Sequence, residues 1–416
     1  MPPVLRPPRR SVLILAYLAF VSLGLPDGLI GVGWPSIRSA YQVPTEAVGL
    51  LLTAGTLGYL ASSVAAGFST ARLGIGRLLA ISTSLTALAL AGYALAPALP
   101  FMIVAALLLG SGGGAIDAGL NAYAAGAFGP RHMNWLHAFF GLGVTLGPLI
   151  MTAAIGVSGT WRAGYAAVAV AQAALAVGFA AGSPAWRQRP AGRPDVAVPA
   201  GARPTPVRAT LSLPATWLGM LAFAFYGAIE IATGLWAFLL LTEDRGVAAT
   251  TAGVCVSAYW GCLLGGRVVQ GFVAERLGVR AVLAGSLAGL CVGSLLVAVP
   301  APAWVAVAGL CVVGFAAAAV FPLLTLTTGA RVGAAHADRV VGLQIGAAGL
   351  GGALIPAAVG VLLSRTDVGA LGAALLVLST ALLGIHLLGI HTRQPRPAVD
   401  REEAQFGPVR PVVDGR

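Results

Sequence analysis

Twelve apolar runs, each about long enough to cross a bilayer, govern what this chain can fold into. They cover roughly residues 11–34, 45–68, 78–96, 100–128, 131–157 and 161–183, then 214–241, 247–272, 281–299, 302–328, 337–363 and 369–392. A hydrocarbon core needs about 20 helical residues to span it. The runs are continuous rather than alternating, so they read as helices and not as barrel strands. Only 9% of the residues are charged and 58% are apolar, against about 25% and about 45–50% in a soluble domain. That leaves too little polar surface for a water-soluble globule, and excludes a cytosolic enzyme, a secreted disulfide scaffold and a disordered protein. The expectation is an all-α membrane protein with twelve transmembrane helices. The 57 glycines and 26 prolines then fit closely packed, bendable helices. Cys255, Cys262, Cys291 and Cys311 fall in apolar runs without C-x-x-C spacing and read as small buried hydrophobes.

The basic residues set the topology. The net charge is +11, and all 25 basic residues are arginine. With the N-terminus in the cytoplasm, 21 arginines lie on the inner side and four outside: Arg38, Arg162, Arg245 and Arg365. That asymmetry predicts a multi-pass protein of the cytoplasmic membrane with both termini inside. Its first span is read as uncleaved. The charge needs no nucleic acid, since no aromatic-interleaved basic patch accompanies it. The longest polar stretch between runs, 184–213, carries Arg187, Arg189, Arg193, Arg203 and Arg208 with several prolines. It reads as a flexible cytoplasmic linker between six-helix bundles at 1–183 and 214–392. A polar, disordered tail follows at 393–416.

The two halves repeat one another. Gly67-Phe68 and Arg72-Leu73-Gly74 return as Gly271-Phe272 and Arg276-Leu277-Gly278. Gly141-Leu142-Gly143, Leu146 and Pro148 return as Gly349-Leu350-Gly351, Leu354 and Pro356. Gly24, Asp27 and Gly31 return as Gly227, Glu230 and Gly234. The three offsets are 204, 208 and 203 residues, in the same order. Six spans per half in one orientation make a parallel repeat about an axis along the membrane normal.

Twelve spans, this 6+6 repeat, a basic central loop and the Arg-Leu-Gly turns resemble the major facilitator superfamily. The resemblance implies two pseudo-symmetric bundles, with Gly67, Arg72 and Gly74, and Glu275, Arg276 and Gly278, as gating-loop residues. The family places an acid before the arginine, as in Glu275-Arg276; the first copy has Ala71-Arg72 instead. The segments Gly24-Leu25-Pro26-Asp27-Gly28, Gly114 to Asn121 and Asn134 to Gly141 are similar to the fucose–proton symporter branch. That similarity implies a sugar-like cargo, and it matches the branch's acids in spans 1 and 4 to Asp27 and Asp117.

Only three of the 14 acids lie well within spans: Asp27, Asp117 and Glu230. A charge at a helix centre costs about 2.5–3.5 kcal/mol on insertion scales. Such acids either face a wet cavity and carry protons or bind solute, or they are paired structurally. At about 1.5 Å per residue, Asp27 and Glu230 are expected nearer the outside, and Asp117 and His137 nearer the inside. Asp117 and Asn121 share one helix face, as do Asn134, His137 and Gly141; if the faces meet, His137 neutralises Asp117 or relays its proton. Arg267 either snorkels to the cytoplasmic side or pairs with an acid or an anionic solute. Asn121, Asn134, Tyr226, Trp236, Tyr259, Trp260 and Gln344 are candidate solute contacts, with ordinary packing as the other reading of the aromatic residues.

No Walker loop, Ser-His-acid spacing or H-E-x-x-H occurs, so the chain reads as a non-enzyme without cofactor or metal, drawing on an ion gradient. The ion expected is the proton, with sodium the other choice. The expected partners are a small-molecule solute and the bilayer, with the protein monomeric. The sequence thus predicts proton-coupled uptake by alternating access. Proton-antiport efflux of a drug-like or natural-product compound is the rival, and a non-transporting receptor the alternative of another class.

Overall fold

The computed structural model describes residues 10–127, 130–183, 186 and 206–391. They form fifteen α-helices. The first six are α1 (Arg10–Tyr41), α2 (Val48–Leu73), α3 (Ile75–Leu95), α4 (Leu99–Ala127), α5 (Pro130–Ser158) and α6 (Trp161–Gly182). A short α7 (Val207–Leu211) precedes α8 (Pro214–Leu239), α9 (Ala249–Leu277), α10 (Val279–Ala298), α11 (Ala303–Ala317) and α12 (Val320–Leu326). The chain continues through α13 (Thr328–Val332), α14 (Ala334–Arg365) and α15 (Ala370–His391). Twelve stretches are long and apolar enough to cross a membrane, with α11 and α12 together making the tenth. The fold class read from the sequence is thus the observed one.

Three local readings change. The first span does not stop near residue 34, because α1 continues through Pro35 to Tyr41. Asp27 therefore sits at the middle of its helix rather than in the outer half, and Glu230 is central too once a π-turn at Leu240–Asp244 extends α8. The tenth run breaks at Ala318-Ala319 instead of running straight. The end of the expected linker is helical and docked. In α7, the Thr210 hydroxyl accepts from Arg339 at 2.9 Å and pairs with His336 Nδ1 at 2.9 Å. Residues 184, 185 and 187–205 of that linker and the tail from 392 lie outside the described residues.

The repeat is carried contact by contact. Gly24 on α1 packs so tightly on the Phe140 carbonyl of α5 that a Cβ would collide; Gly227 on α8 does the same with Ala348 of α14. In return, Gly143 meets the Val21 carbonyl and Gly351 the Ala224 carbonyl. Across α2 and α4, Gly110 meets Gly55; across α9 and α11, Gly314 meets Tyr259. Each partner in the second half lies at the offset of its motif. Small residues let backbones approach where no hydrophobic force drives helices together in lipid. The Arg-Leu-Gly turns match as well: Gly74 and Gly278 end α2 and α9 at φ 78° and 84°, a region open to glycine without Cβ strain. A third such turn, Arg331-Val332-Gly333, has φ 84° and went unnoticed in the sequence.

The described chain ends, Arg10 and His391, lie at one end of the bundle; the opposite end is closed. There α1 crosses α8 with Gly31 against the Gly234 carbonyl, α2 meets α14 at Gly49 and Ala357, and α5 meets α9 at Thr152 and Gly253. Arg38 bridges to Glu243 at 2.7 Å across the same seam. Two arginines assigned to the outside cap helix ends at this face. Arg162 donates to the Ala94 carbonyl at 2.8 Å, and Arg245 to those of Val297 and Ala301 at 3.0 and 3.1 Å.

Candidate functional site

One helical turn below the Gly31–Gly234 crossing, Asp27 lies on the same face of α1 as Gly31, and Glu230 on the same face of α8 as Gly234. The repeated G-x-x-acid-x-x-x-G pattern is therefore a crossing point with a carboxyl group beside it on each helix. Asp27 is exposed although it sits mid-helix in an apolar span. It makes no hydrogen bond or ion pair among the described residues, and Glu230, Tyr59 and Tyr93 are its electrostatic neighbours. An open aspartate on the seam face marks a crevice between the first six and last six membrane-spanning stretches.

Glu230 is held from two sides. The Tyr226 hydroxyl, one turn earlier, donates to its Oε2, and Arg267 on α9 lies 3.8 Å from Oε1. Tyr259 donates to the Glu230 backbone carbonyl at 2.9 Å. Arg267 thus turns inward as the acid's charge partner rather than snorkelling to the end of the helix.

Asp117 is held differently. Tyr59 on α2 donates to Oδ2 at 2.5 Å, and Asn121 Nδ2 donates to Oδ1 at 2.8 Å. Both oxygens have neutral donors, and no cation contacts them among the described residues. His137 does not hydrogen-bond to Asp117. It is exposed, edge-on to Phe20 with ring centroids 5.5 Å apart, and within electrostatic reach of Asp117 and Arg267.

Pairwise proximity links Asp27, Asp117, Asn121, His137, Glu230, Tyr226 and Arg267 into one cluster at the seam. The structure gives other candidates packing partners. Trp236 is fully buried and donates from Nε1 to the Pro356 carbonyl at 3.0 Å. Trp260 is buried against Gly234 and stands edge-on to Tyr259, centroids 4.8 Å apart. Gln344 is buried, accepts from Thr328 at 2.9 Å and lies against Gly219. Gly67, Arg72, Gly74, Arg276 and Gly278 are exposed at helix ends. The side chains of Asn134 and Glu275 lie outside the described residues.

Sequence reasoning missed Tyr59. A signal was present: Gly55, Gly58 and Ser62, at helical spacing, mark the face of α2 that meets α4, and Tyr59 stands on it. A carboxylate taken out of water needs donors, and the facing seam is where to seek them.

A family model described as the Major Facilitator Superfamily matches residues 16–253 and 220–414. The crystal structure of a bacterial homologue of the human lysosomal transporter Spinster, inward-facing and occupied, superposes with a TM-score of 0.72. It is 14% identical, covering 94% of this chain and 100% of that one. The crystal structure of nucleoside transporter NupG superposes with a TM-score of 0.67 at 14% identity, covering 92% and 98% of the two chains. At such identity the likeness speaks for the fold.

Proposed function

Since this chain belongs to the Major Facilitator Superfamily, we propose that it is a secondary active transporter moving a small polar solute by proton-coupled alternating access. Residues 1–183 and 214–392 act as two bundles in the cytoplasmic membrane, rocking about the seam of α1, α2 and α5 against α8, α14 and α9. The end carrying the arginine-rich segments faces the cytoplasm in this reading, so the seam contacts described close the outward side.

The observation that carries this reading is Asp27: a carboxyl group mid-membrane, without a cation, open to a crevice and one turn below the point where the halves meet. Such a group exchanges a proton with whichever side the crevice faces. Asp117, with both oxygens already engaged by Tyr59 and Asn121, is suited to bind solute. Glu230 has its charge balanced by Arg267. The resemblance to the fucose–proton symporter branch favours a sugar-like, hydroxyl-bearing cargo taken up by symport. Proton-antiport efflux is the second reading, favoured by the excess of acid over base around the crevice. A 100 mV potential supplies about 2.3 kcal/mol per charge moved, enough to bias either direction.

The test is transport in proteoliposomes. A solute found by thermal shift should accumulate with an imposed pH gradient and should alkalinise the side from which it enters. Acidification of that side would make the protein an antiporter. Binding without counterflow would reduce it to a receptor.

A further inference from the structure

The geometry points to a cargo class: a small solute with a carboxylate at one end and hydroxyl or ammonium donors at the other, its carboxylate replacing Glu230 on Arg267. This rests on the transport reading above and narrows it. A guanidinium offers five N–H donors in a planar fork that matches a carboxylate. Arg267 uses little of that capacity. Its separation from Glu230 is 3.8 Å, beyond hydrogen-bond length. The Tyr226 phenol is within hydrogen-bonding reach of the guanidinium and Tyr259 is a further electrostatic neighbour, which leaves most of the five donors unused. The side chain keeps 27% of its exposure, so part of the fork is open. Glu230 has its own second anchor in the Tyr226 hydroxyl. On the opposite wall Asp27 is an acceptor that makes no hydrogen bond among the described residues, while Tyr59 and Asn121 already donate to Asp117. One wall thus asks for an anionic group and the other for donors.

The exchange balances. The cargo carboxylate takes the place of the Glu230 carboxylate on Arg267, and Glu230 takes up one proton to become a neutral acid still held by Tyr226. With a hydroxyl-bearing carboxylate no net charge is added to the crevice; with an ammonium-bearing one the added positive charge faces Asp27. The groups facing Glu230 are Tyr226 on its own helix, Arg267 and Tyr259 on α9, and Asp27 on α1. His137 on α5 lies near Arg267. Asp27 is thereby placed to pass the proton on. Binding should tighten on acidification, by up to about tenfold per pH unit for a one-proton linkage.

The experiment measures binding to the purified full-length protein by calorimetry and thermal shift. D-Glucuronate and L-alanine are the two carboxylate probes, and D-glucose and L-alaninamide their counterparts without a carboxylate. At least one carboxylate probe should bind, more tightly at acidic than at neutral pH, while its counterpart does not. Glu230→Gln should bind the same probe with the pH dependence gone. The pair Arg267→Gln with Glu230→Gln, which removes both charges and leaves no buried ion unpaired, should lose binding while its melting temperature is kept. The inference fails if glucose binds as well as glucuronate, if carboxylate binding survives the double change, or if neither carboxylate binds. Should proton-driven flux of another solute then still depend on Asp27, the cargo class falls and the transport reading stands.

Discussion

The two halves share a frame but not a chemistry. Gly24 on Phe140 and Gly227 on Ala348 are the same contact made twice, as are Gly143 on Val21 and Gly351 on Ala224. Yet the position 204 residues after Asp117 is Phe321, packed on Phe223 with centroids 5.1 Å apart. The position 204 residues before Arg267 is Ser63, whose hydroxyl donates to the Gly114 carbonyl at 3.2 Å. The first half thus holds Asp117 with neutral donors alone, and the second adds a fixed positive charge to the tyrosine that holds Glu230. Duplication preserved what backbones need to touch. The charged residues beside the seam diverged, so the two walls present different chemistry.

The largest expected effect comes from the unpartnered acid. Asp27→Asn should abolish pH-driven accumulation in proteoliposomes while leaving solute counterflow measurable. If accumulation persists, the proton port lies elsewhere. Next is the charge pair. Arg267→Gln leaves Glu230 without its cation; removing one partner of a buried pair costs about 3–5 kcal/mol, and less here because Arg267 is partly exposed. A lowered melting temperature, restored by adding Glu230→Gln, would establish the pair's role.

The tyrosines sharpen the comparison further. Tyr59→Phe strips one Asp117 oxygen of its donor; an unsatisfied buried group costs about 1–3 kcal/mol, and less here because Asp117 is half-buried. Tyr226→Phe should cost less, since Arg267 still faces Glu230. Equal losses in thermal stability would mean that the two acids are held alike. Matched overpacking then probes the shared frame. Gly143→Ala and Gly351→Ala both drive a methyl into a carbonyl oxygen and should each destabilise by about 1–3 kcal/mol. Gly67→Ala, with open space around it, should do far less. The smallest effect is at the closed end. Arg38→Ala removes an exposed pair with Glu243, worth at most about 1 kcal/mol, and should move the melting temperature least of these variants.

The sequence was most legible where lipid imposes one rule on every residue. Continuous apolar runs became helices, arginine-glycine turns became helix ends, and repeated glycines became crossing points. The acids were legible as exceptions to that rule, because a charge in hydrocarbon demands a reason. Their partners were harder to read. Tyr59 meets Asp117 across 58 residues of chain, and Arg267 meets Glu230 from a different helix; no spacing encodes either pairing. Trp236, Trp260 and Gln344 sit at the right depth but turn into helix seams, and depth alone does not say which way a side chain faces.

The most direct measurement compares pH-driven accumulation with counterflow, side by side, in wild-type protein and Asp27→Asn. The account predicts both activities in the wild type and counterflow alone in the variant. A variant that still concentrates its solute against a gradient, at the wild-type rate, would show that the open aspartate at the seam is not the coupling group.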